Sequence, residues 1–349
     1  MDLQCLHLEP ARAFHFGQRG VGVEASTDFA PSDTIFSALC STLRIADSAA
    51  ALTRLLDRFA QGAPPFLISC GFPYVLCRGE PLRFYPTPLS WAQHPRGDDR
   101  RKARWMSESI LLGEIGVTGR ADRRYVEDIE ALVTPAELDA LRQDYAELAR
   151  RSGGGLPLWT VDDVPRVAVD RVTSASAVYR AGCLTFTPGG GIWVGVAPLD
   201  TQWVQGTLPA LLDLLGEQGL GGERSSGYGA FSHRRALDTP LMLPDIHPGD
   251  RFMTLSYYAP DLSAGERAAF APDCAYAVEM RRGWMSSPDN DRLRRKAVRM
   301  LRFGSVLRAF DGRALYGRLV DVAPDEFKTQ PNRHPVWRCG LALPIRLKD

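Results

Sequence analysis

The 349 residues, 45% hydrophobic and 24% charged, are enough for two ordinary domains with a real core, which argues against a disordered or fibrous chain. A net charge of +1 does not by itself point to nucleic acid, and no 18-residue apolar run is present to span a membrane. Seven cysteines, odd in number and scattered without a C-x-x-C, argue against a disulfide frame and a zinc site. They fit reduced thiols in a cytoplasmic protein, as does the lack of a signal-peptide pattern after Met1. The six histidines do not cluster with the cysteines, so neither a metal nor another cofactor is expected.

In chain order, Leu3–Leu8 predicts a first strand, and Pro31-Ser32-Asp33-Thr34 opens a helix striped by Ile35, Phe36, Leu39 and Leu43. Ala50–Phe59 predicts a second short helix. Phe66–Gly71 and Leu82–Tyr85 predict strands, and Pro86-Thr87-Pro88 then forbids regular pairing. Gln93–Arg104 is polar. Its cluster Arg96, Arg100, Arg101, Lys102 and Arg104 lies next to Trp91 and Trp105, with Asp98 and Asp99 opposing it. Thr134-Pro135-Ala136-Glu137 starts a helix that runs to about Arg151. Val167–Thr173, Ala177–Thr187 and Ile192–Ala197 predict three strands, the last two joined by Pro188-Gly189-Gly190-Gly191.

A helix follows at Thr207–Gln218, with Leu208, Leu211, Leu212 and Leu215 on one face, Thr207 as N-cap and Pro209 in the first turn. After it comes Gly219-Leu220-Gly221-Gly222-Glu223-Arg224-Ser225-Ser226-Gly227-Tyr228-Gly229, then a strand over Gly229–Leu237. Glycines at this density let another backbone approach, while Arg224 supplies a fixed positive charge and Ser225 and Ser226 supply hydroxyls. A phosphate-bearing ligand and a simple helix-ending turn both fit. The order helix–glycines–strand is wrong for a dinucleotide fold, and Tyr228 stands where a Walker A motif needs Lys. Prolines 240, 244 and 248 punctuate a linker, beyond which Phe252–Tyr258, Cys274–Met280, Lys296–Phe303 and Trp337–Ile345 predict further strands. Between Arg281 and Arg302 eight basic residues face two acids, which together with the first basic cluster favours a polyanionic partner. The whole predicts an α+β chain of two units, each an antiparallel sheet with helices on one face.

Six motifs carry a family resemblance. In order they are Ser32-Asp33-Thr34-Ile35-Phe36-Ser37-Ala38-Leu39, Tyr85-Pro86-Thr87-Pro88-Leu89, Asp170-Arg171-Val172-Thr173 and Gly221–Gly229. Gly304-Ser305-Val306-Leu307 and His334-Pro335-Val336-Trp337-Arg338-Cys339-Gly340 complete the set. With them the chain resembles the fourth Csm subunits of type III-A CRISPR effector complexes, a crRNA 5′-handle-binding group of the RAMP superfamily. Thr87 and Cys339 depart from that pattern, standing for a basic residue and an aromatic. The resemblance implies two ferredoxin-like (RRM-like) domains, 1–237 with insertions, a β-hairpin thumb and the Gly-rich loop, and 250–349. It further implies a non-catalytic subunit of an antiviral ribonucleoprotein that binds the 5′ handle of crRNA. Its partners would be the large palm-domain, cyclase/polymerase-like subunit and the backbone RAMP subunit, with no membrane and no small-molecule substrate.

On that reading Gly219, Gly221, Gly222 and Gly227 let an RNA backbone lie against main-chain N–H groups, and Arg224 pairs with a phosphate. Ser225 and Ser226 donate to phosphate or 2′-OH, and Tyr228 stacks on a base or packs in the core. Arg171, His15, Arg101 and Lys102 are further RNA-binding candidates, Arg171 having Asp170 as an alternative partner. Two other classes stay open. A RAMP endoribonuclease would use general acid–base chemistry, with His7 or His15 as candidates. His7 fits a core position better, and His15, in Phe14-His15-Phe16-Gly17, is expected at the surface. Asp33 as a cleavage residue competes with Asp33 as a helix cap or first-turn acid. A protein–protein adaptor without RNA contact is the third reading.

Overall fold

The computed structural model describes residues 1–17, 25–169, 176–235, 240–285, 293–312, 315–329 and 334–348. In chain order β1 (Asp2–Pro10) precedes α1 (Ser32–Ala46) and α2 (Ala49–Ala60), followed by β2 (Phe66–Cys77) and β3 (Glu80–Pro86). An insertion then holds α3 (Asp99–Lys102), β4 (Trp105–Ser107), α4 (Glu108–Glu114), β5 (Arg124–Val126), β6 (Ala131–Val133), α5 (Pro135–Asp144) and α6 (Ala146–Arg151). The long arms β7 (Trp159–Val169) and β8 (Ser176–Phe186) form a hairpin, and β9 (Gly191–Pro198), α7 (Thr201–Gln218) and β10 (Phe231–Arg235) close this half.

Four of these strands order as β10-β1-β9-β2, all antiparallel. With α1 between β1 and β2, and α7 between β9 and β10, the unit is the split βαβ pattern of a ferredoxin-like fold. Its sheet continues through β3 and β4 to β6 and β5, and β4–β6 is its parallel pair. α1 packs on α7 and on β2, burying Ile35, Phe36, Leu39 and Leu43, the stripe expected from the sequence. On α5 the helix start falls where expected, with Thr134 and Glu137 forming a capping box, but the helix breaks at Tyr145 and α6 resumes it.

Two boundaries differ from expectation for physical reasons. α7 starts six residues early, because the Asp200 carboxylate caps the Trp203 N–H at 3.0 Å and Val204 extends the apolar face. Pro209 therefore sits in the helix interior and not in its first turn. The arm β7 begins at Trp159, eight residues before the strand expected from Val167, and contains Asp162, Asp163 and Pro165. A two-stranded arm exposes both faces, so acids and a proline fit where a central strand would reject them.

The C-terminal half contains β11 (Leu241–Met242), which adds to β1, and β12 (Arg251–Thr254), β13 (Val278–Arg281), β14 (Val298–Leu301) and β15 (Val306–Arg308). After them come β16 (Gly317–Asp321), α8 (Asp325–Lys328), β17 (Trp337–Leu341) and β18 (Pro344–Leu347). The order β15-β12-β18 makes a three-stranded antiparallel sheet, and β13–β14 and β16–β17 are separate two-stranded antiparallel pairs. Among the described residues α8 is the one α-helix of this half, so a second helix-covered sheet does not appear.

One hydrophobic core runs through both halves, from Phe29, Phe72 and Trp105 to Tyr257, Phe303 and Ile345. Phe303 sits at the junction, with ring centroids 4.7 Å from Phe29 and 5.2 Å from Phe72. Backbone bonds cross as well, Cys70 N–H donating to Leu255 O at 2.8 Å and Leu89 N–H to Gly304 O at 2.8 Å. Among the described residues no helix is long and apolar enough to cross a membrane, and no cluster of His, Cys, Asp or Glu is placed to hold a metal ion.

Candidate nucleic-acid interface

The glycine-rich loop is built against the chain's own backbone. Gly219 ends α7 with φ +82°, its N–H donating to Leu215 O at 2.8 Å. A Cβ on Gly221 (φ +97°) would come within 2.4 Å of His15 O, and one on Gly222 within 2.7 Å of the His15 ring. Gly222 N–H donates to His15 O, and Gly229 N–H to Ala13 O, both at 2.9 Å. Most of the tight approaches that the glycines permit are thus used inside the fold. The N–H groups of Ser226, Gly227 and Tyr228 bond within the turn itself. Among the described residues those of Arg224 and Ser225 have no partner in the chain, and both side chains are exposed.

Burial corrects one candidate and decides between the two readings of another. His15 is 4% exposed, not at the surface, and its Nδ1 lies 2.7 Å from Gly182 O. A carbonyl only accepts, so Nδ1 carries the proton and the ring is committed to tying the first loop to β8. Tyr228 is 7% exposed and packs on Ala13 and Cys183. The Arg166 guanidinium covers its ring, 4.7 Å from the centroid, so the face expected to stack on a base is already occupied. The Tyr228 hydroxyl beside it holds Arg166 above its ordinary pKa.

Around Tyr228, residues that sequence reasoning missed join the loop to the hairpin. Glu223 takes a left-handed backbone, φ +54°. Its Oε2 accepts from the Ser226 hydroxyl at 3.0 Å and from the Tyr179 hydroxyl of β8 at 3.4 Å. Ser226 is therefore engaged, whereas Arg224 and Ser225 project beside a fixed base. Arg171 and Asp170 lie outside the described residues. Arg101 and Lys102 are exposed on α3, where Arg101 Nη1 donates to His94 O at 3.4 Å and Lys102 sits 3.9 Å from Asp99. That helix packs on the turn Leu89–Gln93.

A cleft of about 910 Å³ separates the base of the hairpin from the C-terminal half. Trp159–Asp162 line one wall, Tyr257, Arg281 and Arg302 the other, and Phe29 and Arg104 lie among its lining residues. Both basic runs of the sequence reach it, through Arg104 on one side and Arg281 and Arg302 on the other. Asp28, Asp128, Glu130, Asp162 and Glu279 also line it, so its interior is not a purely cationic groove. Its aromatic and mixed polar walls suit a flat polar group better than a row of phosphates.

Behind the cleft, Asp33 is 1% exposed in the first turn of α1. Arg281 donates to it in bidentate fashion, Nη2 to Oδ1 at 3.0 Å and Nε to Oδ2 at 3.2 Å, and Arg338 Nη1 donates to Oδ2. Pro31, not Asp33, holds the N-cap position. The aspartate is a first-turn acid whose oxygens are taken by two arginines of the C-terminal half. His7 is buried in the core, its ring edge-on to Tyr74 at 4.8 Å.

Residues 247–347 match the family model described as the CRISPR Csm4 C-terminal domain. Over 345 residues the chain is 25% identical to the CRISPR system Cms protein Csm4 of Mycobacterium tuberculosis, covering 96% of this chain and 95% of that one. The protein of the same name from Thermococcus onnurineus is 27% identical over 218 residues, 61% of this chain and 66% of the relative. The likeness to proteins named Csm4 therefore extends over nearly the whole chain. Its fold agrees. A chain of the crystal structure of the Csm3–Csm4 subcomplex in the type III-A CRISPR-Cas interference complex superposes with TM-score 0.62 at 12% identity, covering 99% and 100% of the two chains. A chain of the Csm1–Csm4 cassette in complex with cA4 gives 0.57 at 16% identity, with 100% and 98% covered. In this chain the loop, the hairpin arms and the cleft lie on one framework, with the two exposed polar residues of the loop at Arg224 and Ser225.

Proposed function

We propose that this chain is a non-catalytic, RNA-binding subunit of a type III-A Csm interference complex. It holds the 5′ handle of CRISPR RNA and joins the large palm-domain subunit to the backbone RAMP subunits. The carrying observation is Arg224, a guanidinium with no partner among the described residues, on a loop whose backbone is fixed by the rest of the fold. Such a group contacts a phosphate without first breaking an internal pair. Relatives named Csm4, and solved Csm3–Csm4 and Csm1–Csm4 assemblies, support the placement between those two kinds of subunit.

Cleavage of repeat RNA is the weaker reading. His15 is buried, and the Asp33 carboxylate is buried and shared by Arg281 and Arg338, so neither is placed to reach an RNA 2′-OH. The test is a reconstituted complex in which Arg224, Ser225 and Ser226 are changed together to Ala. Faster loss of crRNA with unchanged folding is expected, and retention equal to wild type would sink the assignment. Incubating the purified protein with repeat RNA in EDTA checks the enzyme reading, whose signature is cleavage lost on His15→Ala. An adaptor without RNA contact predicts no salt-sensitive RNA binding, whereas each phosphate held adds about 0.7 to the slope of log affinity against log salt for a single strand.

A further inference from the structure

In the loop Gly219–Gly229, five residues have positive φ, and four are glycine. The fifth is Glu223. An L side chain in the left-handed region costs backbone energy, and such an outlier persists where its side chain has work that glycine cannot do. Here the carboxylate reaches two groups, the Ser226 hydroxyl across the turn and the Tyr179 hydroxyl on β8. Next to it Arg166 of β7 covers the Tyr228 ring. Loop and hairpin are therefore joined at two points, one through each arm.

We propose that Glu223 is a positioning residue that locks the glycine-rich loop to the hairpin, so that Arg224 and the β7–β8 arm meet RNA as one surface. This rests on the RNA-binding reading above. The charge of Glu223 argues against a direct role, because a carboxylate beside a phosphate site repels the ligand. Its retention there is explained by the two hydroxyls it holds. The backbone bend explains the rest: with Glu223 left-handed, the next turn directs Arg224 and Ser225 to solvent while Ser226 and Tyr228 face inward.

The test uses the assembled complex with crRNA and three variants, Glu223→Gly, Glu223→Gln and Tyr179→Phe. Glu223→Gly keeps the left-handed backbone at lower cost and removes the tie, so the melting temperature stays equal or rises. Backbone amides of β7 and β8 then exchange faster, and crRNA dissociates about 5–10-fold faster, the size expected for the net loss of one ordinary hydrogen bond. Tyr179→Phe copies both effects. Glu223→Gln, which keeps an acceptor oxygen, restores most of the exchange protection and of the RNA retention. Simple removal of a repelling charge predicts the opposite, tighter RNA in both Glu223 variants. Tighter or unchanged RNA in Glu223→Gly, or unchanged hairpin exchange in Glu223→Gly or Tyr179→Phe, overturns the proposal. Failure of the RNA reading has its own signature: Arg224→Ala retains crRNA like wild type, and hairpin exchange alone then decides whether the lock exists.

Discussion

The basic run at 281–302 and the single arginine of the glycine loop use the same chemical group in opposite ways. In the run, Arg281 is bound to Asp33, Arg295 Nη1 donates to the Ser37 hydroxyl at 3.2 Å, Lys296 pairs with Asp325, and Arg302 lies 3.5 Å from Glu279. Four of its charges are thus spent on holding the two halves together or on their own surface. Arg224 has no such partner among the described residues. Charge density along a sequence therefore marks where arginines are many, whereas availability depends on which acids the fold brings up beside them. Among the described residues Arg282, Arg294 and Arg299 are the exposed remainder of the run, and Arg294 lies 4.6 Å from the Trp284 ring.

The largest expected effect tests the structural side of that contrast. Asp33→Ala leaves two arginines, Arg338 only 3% exposed, without their carboxylate, and should cost about 3–5 kcal/mol in urea denaturation. A variant that melts normally would break the comparison and reopen a chemical role for Asp33. Next, Gly221→Ala forces a side chain into a backbone with φ +97° and against His15 O. About 1–3 kcal/mol should be lost from the backbone conformation alone, with the contact adding to it, read as a lowered melting temperature. Arg224→Ala should change stability by no more than about 0.5 kcal/mol, yet lower the salt slope of RNA binding by about 0.7. Changing Arg282, Arg294 and Arg299 to Gln should also leave stability within about 0.5 kcal/mol, with a smaller loss of RNA than Arg224→Ala. An equal or greater loss would show that the exposed remainder of the run is the better ligand surface. The smallest effect concerns thiols. Burial pushes Cys5 and Cys70 up to about 11 and Cys339 up to about 12, so a thiol reagent at pH 8 should label half-buried Cys77 and Cys274 first, and these three only after denaturation.

Local signals carried well from sequence to structure. The stripe Ile35–Leu43 and the helix start at Thr134 depend on neighbours within one helix, and both appear as expected. The hairpin arm was half legible, since Asp162, Asp163 and Pro165 look like loop residues unless both faces of the strand are known to be free. For the site, Arg224 and Ser225 were legible because a charge and a hydroxyl among glycines stand out. Glu223 was not: its value lies in φ +54° and in Tyr179, more than forty residues away in sequence. His15 misled for a related reason. It was expected at the surface from its place in Phe14-His15-Phe16-Gly17, but the ring fills the space that the absent side chain of Gly222 leaves open.

The position of β1 in its sheet has a consequence for how the chain is made. This first strand lies between β9 and β10, with Leu6 opposite both Val194 and Arg235. On a ribosome adding about 5–20 residues per second, β1 waits on the order of ten seconds or more before its second neighbour emerges. Until then its apolar residues Leu3, Leu6 and Leu8 have no finished sheet to join, and the edge that will receive β10 stays open to other chains. Yield in the cell is thus expected to depend on translation speed and on chaperones that shield the first strand.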